Sequence, residues 1–373
     1  MGDSLRPDWS GRLRRLWTSD RGTSAPAFII SSPINIKYLT GFEGTAALIA
    51  TPASTSLLLD GRYDHAARDA RAAGAIADVD IRRVQSRFDT TIALVADELQ
   101  LAACAFEAES VTVATLDAWR RAMPSVTLTP TYQWVEGLRA IKDPFELGRI
   151  RAACRATSEV GRALGQWVAA GRTELEIAHD IDAALLRAGC SRTAFPTIVA
   201  SGPASAHPHA RPTDRRLRDG DLVVLDFGGV LDGYCGDLTR MAGVGRVSAE
   251  ARTMFDTVRA AQEAALGAVR AQALAYEVDA AARRVLMEHG FGEAFLHATG
   301  HGLGLEVHEA PRLGRAGEDR SQTASRLEAG MVCTIEPGAY LEGIGGVRLE
   351  DDVLVTAQGS EVLTDVARNL LLV

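Results

Sequence analysis

The chain has 373 residues, 47% hydrophobic and 24% charged, with 48 acidic against 40 basic side chains and a net charge of -8. That length is enough for two domains and a sizeable core, and the composition is that of an ordinary soluble globular protein. The acidic excess argues against a general nucleic-acid binder, and no run approaches the roughly 18 apolar residues of a membrane span.

In chain order, the first segment, MGDSLRPDWSGRLRRLW, carries arginines with no apolar stretch behind them, so it does not read as a secretory signal. Three short apolar runs follow, SAPAFIISS, TAALIAT and TSLLLD, which read as strands. HAARDARAAGA and DTTIALVADELQLA read as helices, giving residues 1–140 an α/β texture. VTLTPTYQWVEGLRAIKDPFEL reads as a strand leading into a polar crossing, with a domain boundary there, so that the domains are 1–140 and 141–373. Pro144 marks a helix start, with Glu146 in its first turn. FELGRIRAACRATSEVGRAL and residues 174–188 read as amphipathic helices, the second ended by Gly189. Residues 249–272 and 277–289 add two more. The strands TAFPTIVAS, DLVVLDFGG, GYCGDLTRMAGV, MVCTIEPGAY and VRLEDDVLVT lie between and after them, so the second domain reads as α+β. Its two acid-bearing strand pairs hint at an internal duplication.

Five cysteines, Cys104, Cys154, Cys190, Cys235 and Cys333, are scattered without a CxxC pair. They read as buried packing residues in a reducing cytoplasm, not as a disulfide framework or a zinc knuckle.

The chemistry concentrates in the second domain. LVVLDFGGVLDGYCGDLTRM reads as a hairpin, with Gly228, Gly229 and Gly233 marking the turn region and Asp226 and Asp237 able to share one face. HATGHGLGLEVHEAPR interleaves His297, His301 and His308 with glycines that let backbone approach a ligand. Histidines in such a run can ligate a cation or donate to a developing oxyanion. Glu336 ends an apolar strand before Pro337-Gly338, and Glu350 follows Arg348. Acids at the ends of apolar strands are costly to bury without a cation. Asp351 and Asp352 read as surface charge. SGPASAHPHARPTDRRLRDGD reads as a loop carrying His207 and His209. Four carboxylates with one imidazole balance two divalent cations and suit Mn, Co or Zn better than copper. Two such cations support hydrolysis of a carbonyl compound.

Together these segments resemble the pita-bread metallopeptidases, in particular the Xaa-Pro branch of aminopeptidase P and prolidase. The likeness covers about residues 145–370 in motif order, and NIKYLTGFEGTAAL and LLLDGRYDHAA are similar to the creatinase-like N-terminal domain of that branch. It implies Asp226, Asp237, His301, Glu336 and Glu350 as ligands of two divalent cations, Mn first and Co or Zn as alternatives, with Asp237 and Glu350 bridging. It implies Glu336 as the proton-handling acid/base, with His308 donating to the scissile carbonyl and His209 acting on the same region. His297 would line the pocket, Arg348 would pair with a ligand carboxylate at the substrate site, and Phe195 and Arg312 would shape or charge the proline side. The implied activity is removal of the residue before proline from peptides or dipeptides, by a cytoplasmic homodimer with no nucleic-acid or membrane partner. A metal-independent creatinase-like amidinohydrolase and a non-catalytic binding module are the alternatives; both go with loss of the acidic set, which is complete here. A methionine aminopeptidase is disfavoured by the N-terminal domain and by the HEAPR and GGVRLEDD contexts. Where the family tends to have Asn-Ser-Ala-Leu-Pro-His, this chain has Ala204-Ser205-Ala206-His207-Pro208-His209, and His207 is read as a neutral change.

Overall fold

The computed structural model describes residues 6–18, 25–317 and 325–373, and the chain divides into two units, 1–139 and 140–373. Residues 1–5 of the arginine-bearing N-terminal segment, and Ser24 at the start of the first apolar run, lie outside the described residues.

The first unit runs α1 (Trp9–Thr18), β1 (Phe28–Ile30), α2 (Pro33–Thr40), β2 (Ala46–Ala50), β3 (Thr55–Asp60), α3 (Asp64–Ala72), β4 (Asp80–Val84), α4 (Phe88–Glu98), β5 (Ala103–Glu107), α5 (Val113–Ala122), β6 (Thr127–Thr131) and α6 (Trp134–Ala140). Its six strands form one mixed sheet in the order β4-β3-β2-β1-β5-β6. Ile29, Ile49 and Leu58 of the sheet pack against Ile92 and Val95 of α4 and Trp119 of α5. The edge strands are the polar ones: DIRRV in β4 and the proline-containing TLTPT in β6, as expected where only one side of a strand is paired. The segment read as a polar crossing is instead helix α6, because Trp134 stacks on Phe28 with ring centroids 4.6 Å apart and Val135 and Leu138 are also buried.

The second unit begins with α7 (Pro144–Arg162), started by a capping box between Asp143 and Glu146, and α8 (Glu174–Arg187), started by one between Thr173 and Glu176. Then come β7 (Arg192–Thr193), β8 (Ile198–Ser201), β9 (Leu222–Leu231), β10 (Tyr234–Gly243), α9 (Ala249–Ala268), α10 (Ala275–Glu288), β11 (Gly300–Gly302), β12 (Glu309–Leu313), β13 (Val332–Ile335), β14 (Gly338–Leu341), β15 (Gly345–Arg348), β16 (Asp351–Val355), β17 (Ser360–Val362) and β18 (Leu371–Leu372). One sheet has the order β18-β10-β9-β7, with β8 also on β9; a second has the order β12-β11-β13-β16-β17; β14 and β15 form a separate ribbon. No helix among the described residues is long and apolar enough to cross a membrane.

Strand alternation decides which side faces the chemistry. Val223, Leu225 and Phe227 of β9, with Leu238 and Ala242 of β10, join the core under α7 and α8. Leu222 and Val224 of β9, with Met241 of β10, join the core under α9 and α10. Asp226 and Asp237 continue this second face. The hairpin turn is Asp232-Gly233, both at positive φ (50° and 86°), the two-residue geometry that matches strand twist.

Gly228 and Gly229 lie inside β9 and not in the turn. Gly228 pairs with Asp237 across the hairpin, and a Cβ there would come within 2.3 Å of the Gly236 carbonyl oxygen and 2.9 Å of the Phe195 ring. The segments MVCTIEPGAY and VRLEDDVLVT each break at their acid. β13 pairs with β16, whereas β14 pairs with β15, so both segments change sheets, at Glu336-Pro337 and Leu349-Glu350. Pro337 has no N–H to continue a ladder.

Gly228→Ala should therefore shift β9 against β10, lowering stability by about 1–3 kcal/mol and weakening divalent-cation binding through Asp237. Urea unfolding and calorimetric titration check this; unchanged values for both would contradict the close-packing argument.

Candidate metal centre

The hairpin, the β11–β12 pair and the two sheet-changing corners bring their acids and one imidazole together. Thr239 lies opposite Asp226, and Asp237 opposite Gly228, on one face of the β9–β10 pair. Carboxylate and imidazole atoms of Asp237, His301 and Glu350 lie within 4.8 Å of one another. Glu336 Oε1 is 3.2 Å from His301 Nε2. His301 Nδ1 is 3.0 Å from the Gly302 carbonyl oxygen, a bond that places the proton on Nδ1 and turns Nε2 toward the acids, as in metal-ligating histidines. Thr239 donates to Glu350 at 2.6 Å. Arg348 is buried; it pairs with Asp226 and donates to the Tyr340 hydroxyl at 2.6 Å and, at 3.3 Å each, to Thr239 Oγ1 and the Pro208 carbonyl. Its expected pairing with a neighbouring carboxylate is thus seen.

A cation fits this donor set. Asp226 Oδ1 and Asp237 Oδ1 are buried carboxylate oxygens with no hydrogen-bond partner, an expensive condition unless something positive meets them. Arginine answers Asp226 and histidine answers Glu336; among the described residues Asp237 and Glu350 have no ion-pair partner. Burial and mutual repulsion accordingly push both well above the ordinary carboxylate range, Asp237 chiefly through Glu350 and Asp226, and Glu350 through Glu336 and Asp226. Burial also raises Asp226, against the charge of Arg348. Burial would raise Glu336 too, but the hydrogen bond and charge of His301, helped by His297 and Arg348, hold it at about 2. Burial disfavours the charged form of His301, yet Glu336 brings its pKa above the usual imidazole value.

The other residues singled out in the sequence surround this cluster. The rings of His308 and His301 are 4.3 Å apart. Burial, then the charges of His301 and His209, hold His308 below its ordinary pKa, which places His209 nearby. His297 Nδ1 is 2.8 Å from the Ala298 carbonyl and Nε2 is 2.9 Å from the Tyr340 hydroxyl. Arg312 is exposed and lies opposite His301 in the β11–β12 register. Phe195 packs over Gly228. His207 is exposed.

Asp351 and Asp352 are not surface charge: both are 0% exposed. Asp351 pairs with Arg240 at 2.7 Å and Arg368 at 2.6 Å. Asp352 accepts the Asp237 amide at 2.8 Å and the Cys154 thiol at 3.3 Å, and burial pushes it up to about 7. Paired across β13–β16, they alternate to the two buried faces of one strand. Tyr340, Thr239 and Arg240 were also missed. Thr239 follows Asp237 by two on a strand, which puts it on the same face; that spacing was a usable signal. Arg240 meets Asp351 from 111 residues away, and Tyr340 meets Arg348 only because the β14–β15 ribbon folds back on itself, so neither left a local signal.

Because burial and mutual repulsion raise Asp237 and Glu350, each holds its proton to higher pH than an ordinary carboxylate, and cation binding competes with that proton. Apparent affinity should rise with pH. Titration calorimetry of Mn²⁺ in buffers of different ionisation enthalpy should show net proton release near neutral pH; a buffer-independent heat would contradict this electrostatic account.

Residues 148–357 match the model of metallopeptidase family M24, and residues 12–141 match that of the creatinase/prolidase N-terminal domain. An uncharacterised peptidase of Bacillus subtilis is 32% identical over 92% of this chain and 95% of its own length. A solved Xaa-Pro dipeptidase from Bacillus anthracis has a TM-score of 0.92 and 30% identity, covering 98% of this chain and 100% of its own. An X-Pro aminopeptidase from Thermotoga maritima has a TM-score of 0.85 and 32% identity, covering 94% and 98%. With its creatinase/prolidase N-terminal domain and pita-bread second domain, the chain belongs to metallopeptidase family M24.

Proposed function

We propose that the centre holds two divalent cations, manganese first and cobalt or zinc as alternatives, on Asp226, Asp237, His301, Glu336 and Glu350, and that the enzyme removes the residue before proline from Xaa-Pro dipeptides and short peptides. The observation that carries this reading is the convergence of buried acids in which Asp237 and Glu350 lack any ion-pair partner among the described residues. The Xaa-Pro dipeptidase of Bacillus anthracis and the X-Pro aminopeptidase of Thermotoga maritima, to which the chain is similar, support the substrate class.

A bound pair of such cations lowers the pKa of water and polarises a carbonyl oxygen. The side chains do the rest. Glu336, kept ionised by His301, takes the proton from the attacking water and delivers it to the departing proline nitrogen. His308, held below its ordinary pKa, donates as a neutral imidazole to the carbonyl oxygen as charge develops there, and His209 acts on the same region. His297, fixed by Tyr340, lines the pocket. Phe195 faces the proline ring. Arg348 acts at this site through Asp226, Tyr340 and Pro208. The bond cleaved is a tertiary amide with no N–H, so recognition falls on the groups around it. To Arg312, exposed and opposite His301 in the strand register, we assign recognition of the free carboxylate of a dipeptide.

The same reading includes a homodimer and a cytoplasmic location; five buried free thiols support a reducing compartment. The domain limits proposed are 1–140 and 141–373.

Asp237→Asn and Glu350→Gln should each lose cation binding and turnover of Ala-Pro. Wild-type rates in either cation-loaded variant would refute the ligand assignment, and chelator-insensitive turnover would favour the amidinohydrolase reading. Arg312→Gln should reduce kcat/KM for Ala-Pro about tenfold or more and spare Ala-Pro-Ala; equal losses would refute its carboxylate role.

A further inference from the structure

The chain leaves β8 at Ser201, passes through a short turn at Gly202–Ala206, presents His207, Pro208 and His209, and comes back at Thr213. Both ends of this loop meet one carboxylate. Glu174, the first residue of α8, is 0% exposed. Its Oε1 accepts the Ser201 amide at 2.8 Å and the Ser201 hydroxyl at 2.6 Å. Its Oε2 accepts the Thr213 amide at 3.0 Å and the Thr213 hydroxyl at 2.7 Å. The amides of Glu174 and Leu175, which the start of a helix leaves without intrahelical partners, donate to the carbonyls of Arg215 and Thr213 at 3.1 and 3.2 Å. Arg215 in turn bonds the Ser201 hydroxyl and pairs with Asp221.

The far side of the loop is docked at the centre. Gly346 donates to Ser205 Oγ at 2.8 Å, and Arg348 donates to the Pro208 carbonyl at 3.3 Å. A Cβ on Gly346 would come within 1.9 Å of the Ser205 carbonyl oxygen, so only glycine permits that approach. His209 therefore projects from a segment closed at its base by one buried acid and fastened next to a residue that pairs with Asp226.

The other half of the unit repeats the device. Asp279 of α10, 1% exposed, accepts the Thr299 amide at 3.1 Å and its hydroxyl at 2.9 Å. The segment that follows Thr299 carries His301 and His308. In each half, a buried carboxylate on the second helix takes both donors of a hydroxyl residue just ahead of a histidine-bearing stretch.

We infer that Glu174 is a positioning residue for His209: it closes the base of the 202–212 loop and so sets where that imidazole meets the substrate. This rests on the role given to His209 in the proposed function. Glu174 itself touches no reacting atom. A glutamine there is isosteric but offers an amide N–H₂ where two donors need an acceptor, so one end of the loop is released.

The test is a double-mutant cycle on the manganese-loaded enzyme with Ala-Pro, together with hydrogen exchange of the loop. Glu174→Gln should lower kcat/KM about 10- to 100-fold, the scale of small misplacements of a reacting group. In the His209→Ala background it should lower it little further. Exchange should accelerate in 202–212 and stay unchanged in β9 and β10. Thr213→Val, which removes a single donor, should give a smaller loss with the same non-additivity, and serves if Glu174→Gln fails to fold. Multiplicative losses, or unchanged exchange in 202–212, would overturn the inference and leave the role of His209 standing. Wild-type turnover in His209→Ala would overturn both.

Discussion

Buried acids that repel one another govern this molecule. Asp226, Asp237, Glu350, Asp351 and Asp352 are all nearly or fully buried in the second unit, and Glu336 joins them at the centre. Such a concentration of carboxylates is unfavourable unless each charge is answered. Arg348 answers Asp226, Arg240 and Arg368 answer Asp351, and His301 answers Glu336. Asp352 is partly relieved by the Asp237 amide and by protonation. Asp237 and Glu350 are left over, and they are the two that the resemblance assigns as bridging ligands. The divalent metal that membership of this metallopeptidase family implies would supply the positive charge these two lack.

The fold exists to hold this arrangement against its own repulsion. Strand alternation sends one set of β9 and β10 side chains into the α7/α8 core and the other toward α9 and α10, so the hairpin acids sit between two packed layers. The sheet changes at Glu336-Pro337 and Leu349-Glu350 bring two more acids to the cluster, their amides donating to the Thr299 and Thr239 carbonyls at 2.7 and 3.3 Å. Arg240 reinforces one corner: it donates to the Glu350 carbonyl at 2.6 Å as well as to Asp351, fixing the backbone of a proposed ligand from behind. The histidine-bearing stretches are then hung at the rim, where His209 and His308 keep contact with solvent.

Much of this is legible in the amino-acid sequence. Local rules carried the helices: Pro144 and Glu146 start α7 as their capping chemistry dictates, and the apolar spacing of residues 174–188 gives α8. Part of the acidic cluster was legible because Asp226 and Glu336 end apolar runs, an arrangement that burial makes costly. What the sequence hid was long-range. Asp351 and Asp352 look like any exposed pair of acids until Arg240, Arg368 and the Asp237 amide are brought to them from more than a hundred residues away or from the chain end. α6 was hidden because its stability comes from Trp134 stacking on Phe28, not from its composition. Gly228 and Gly229 imitate a turn signal, whereas the crowding of Gly236, Phe195 and Cys190 is what requires them.

The most direct measurement is the anomalous diffraction of a manganese-loaded crystal. The account predicts two adjacent peaks, with Asp237 and Glu350 touching both and Asp226, His301 and Glu336 completing the ligand shells. Peaks bound elsewhere, or a fully loaded crystal in which Asp237 and Glu350 contact no ion, would contradict it.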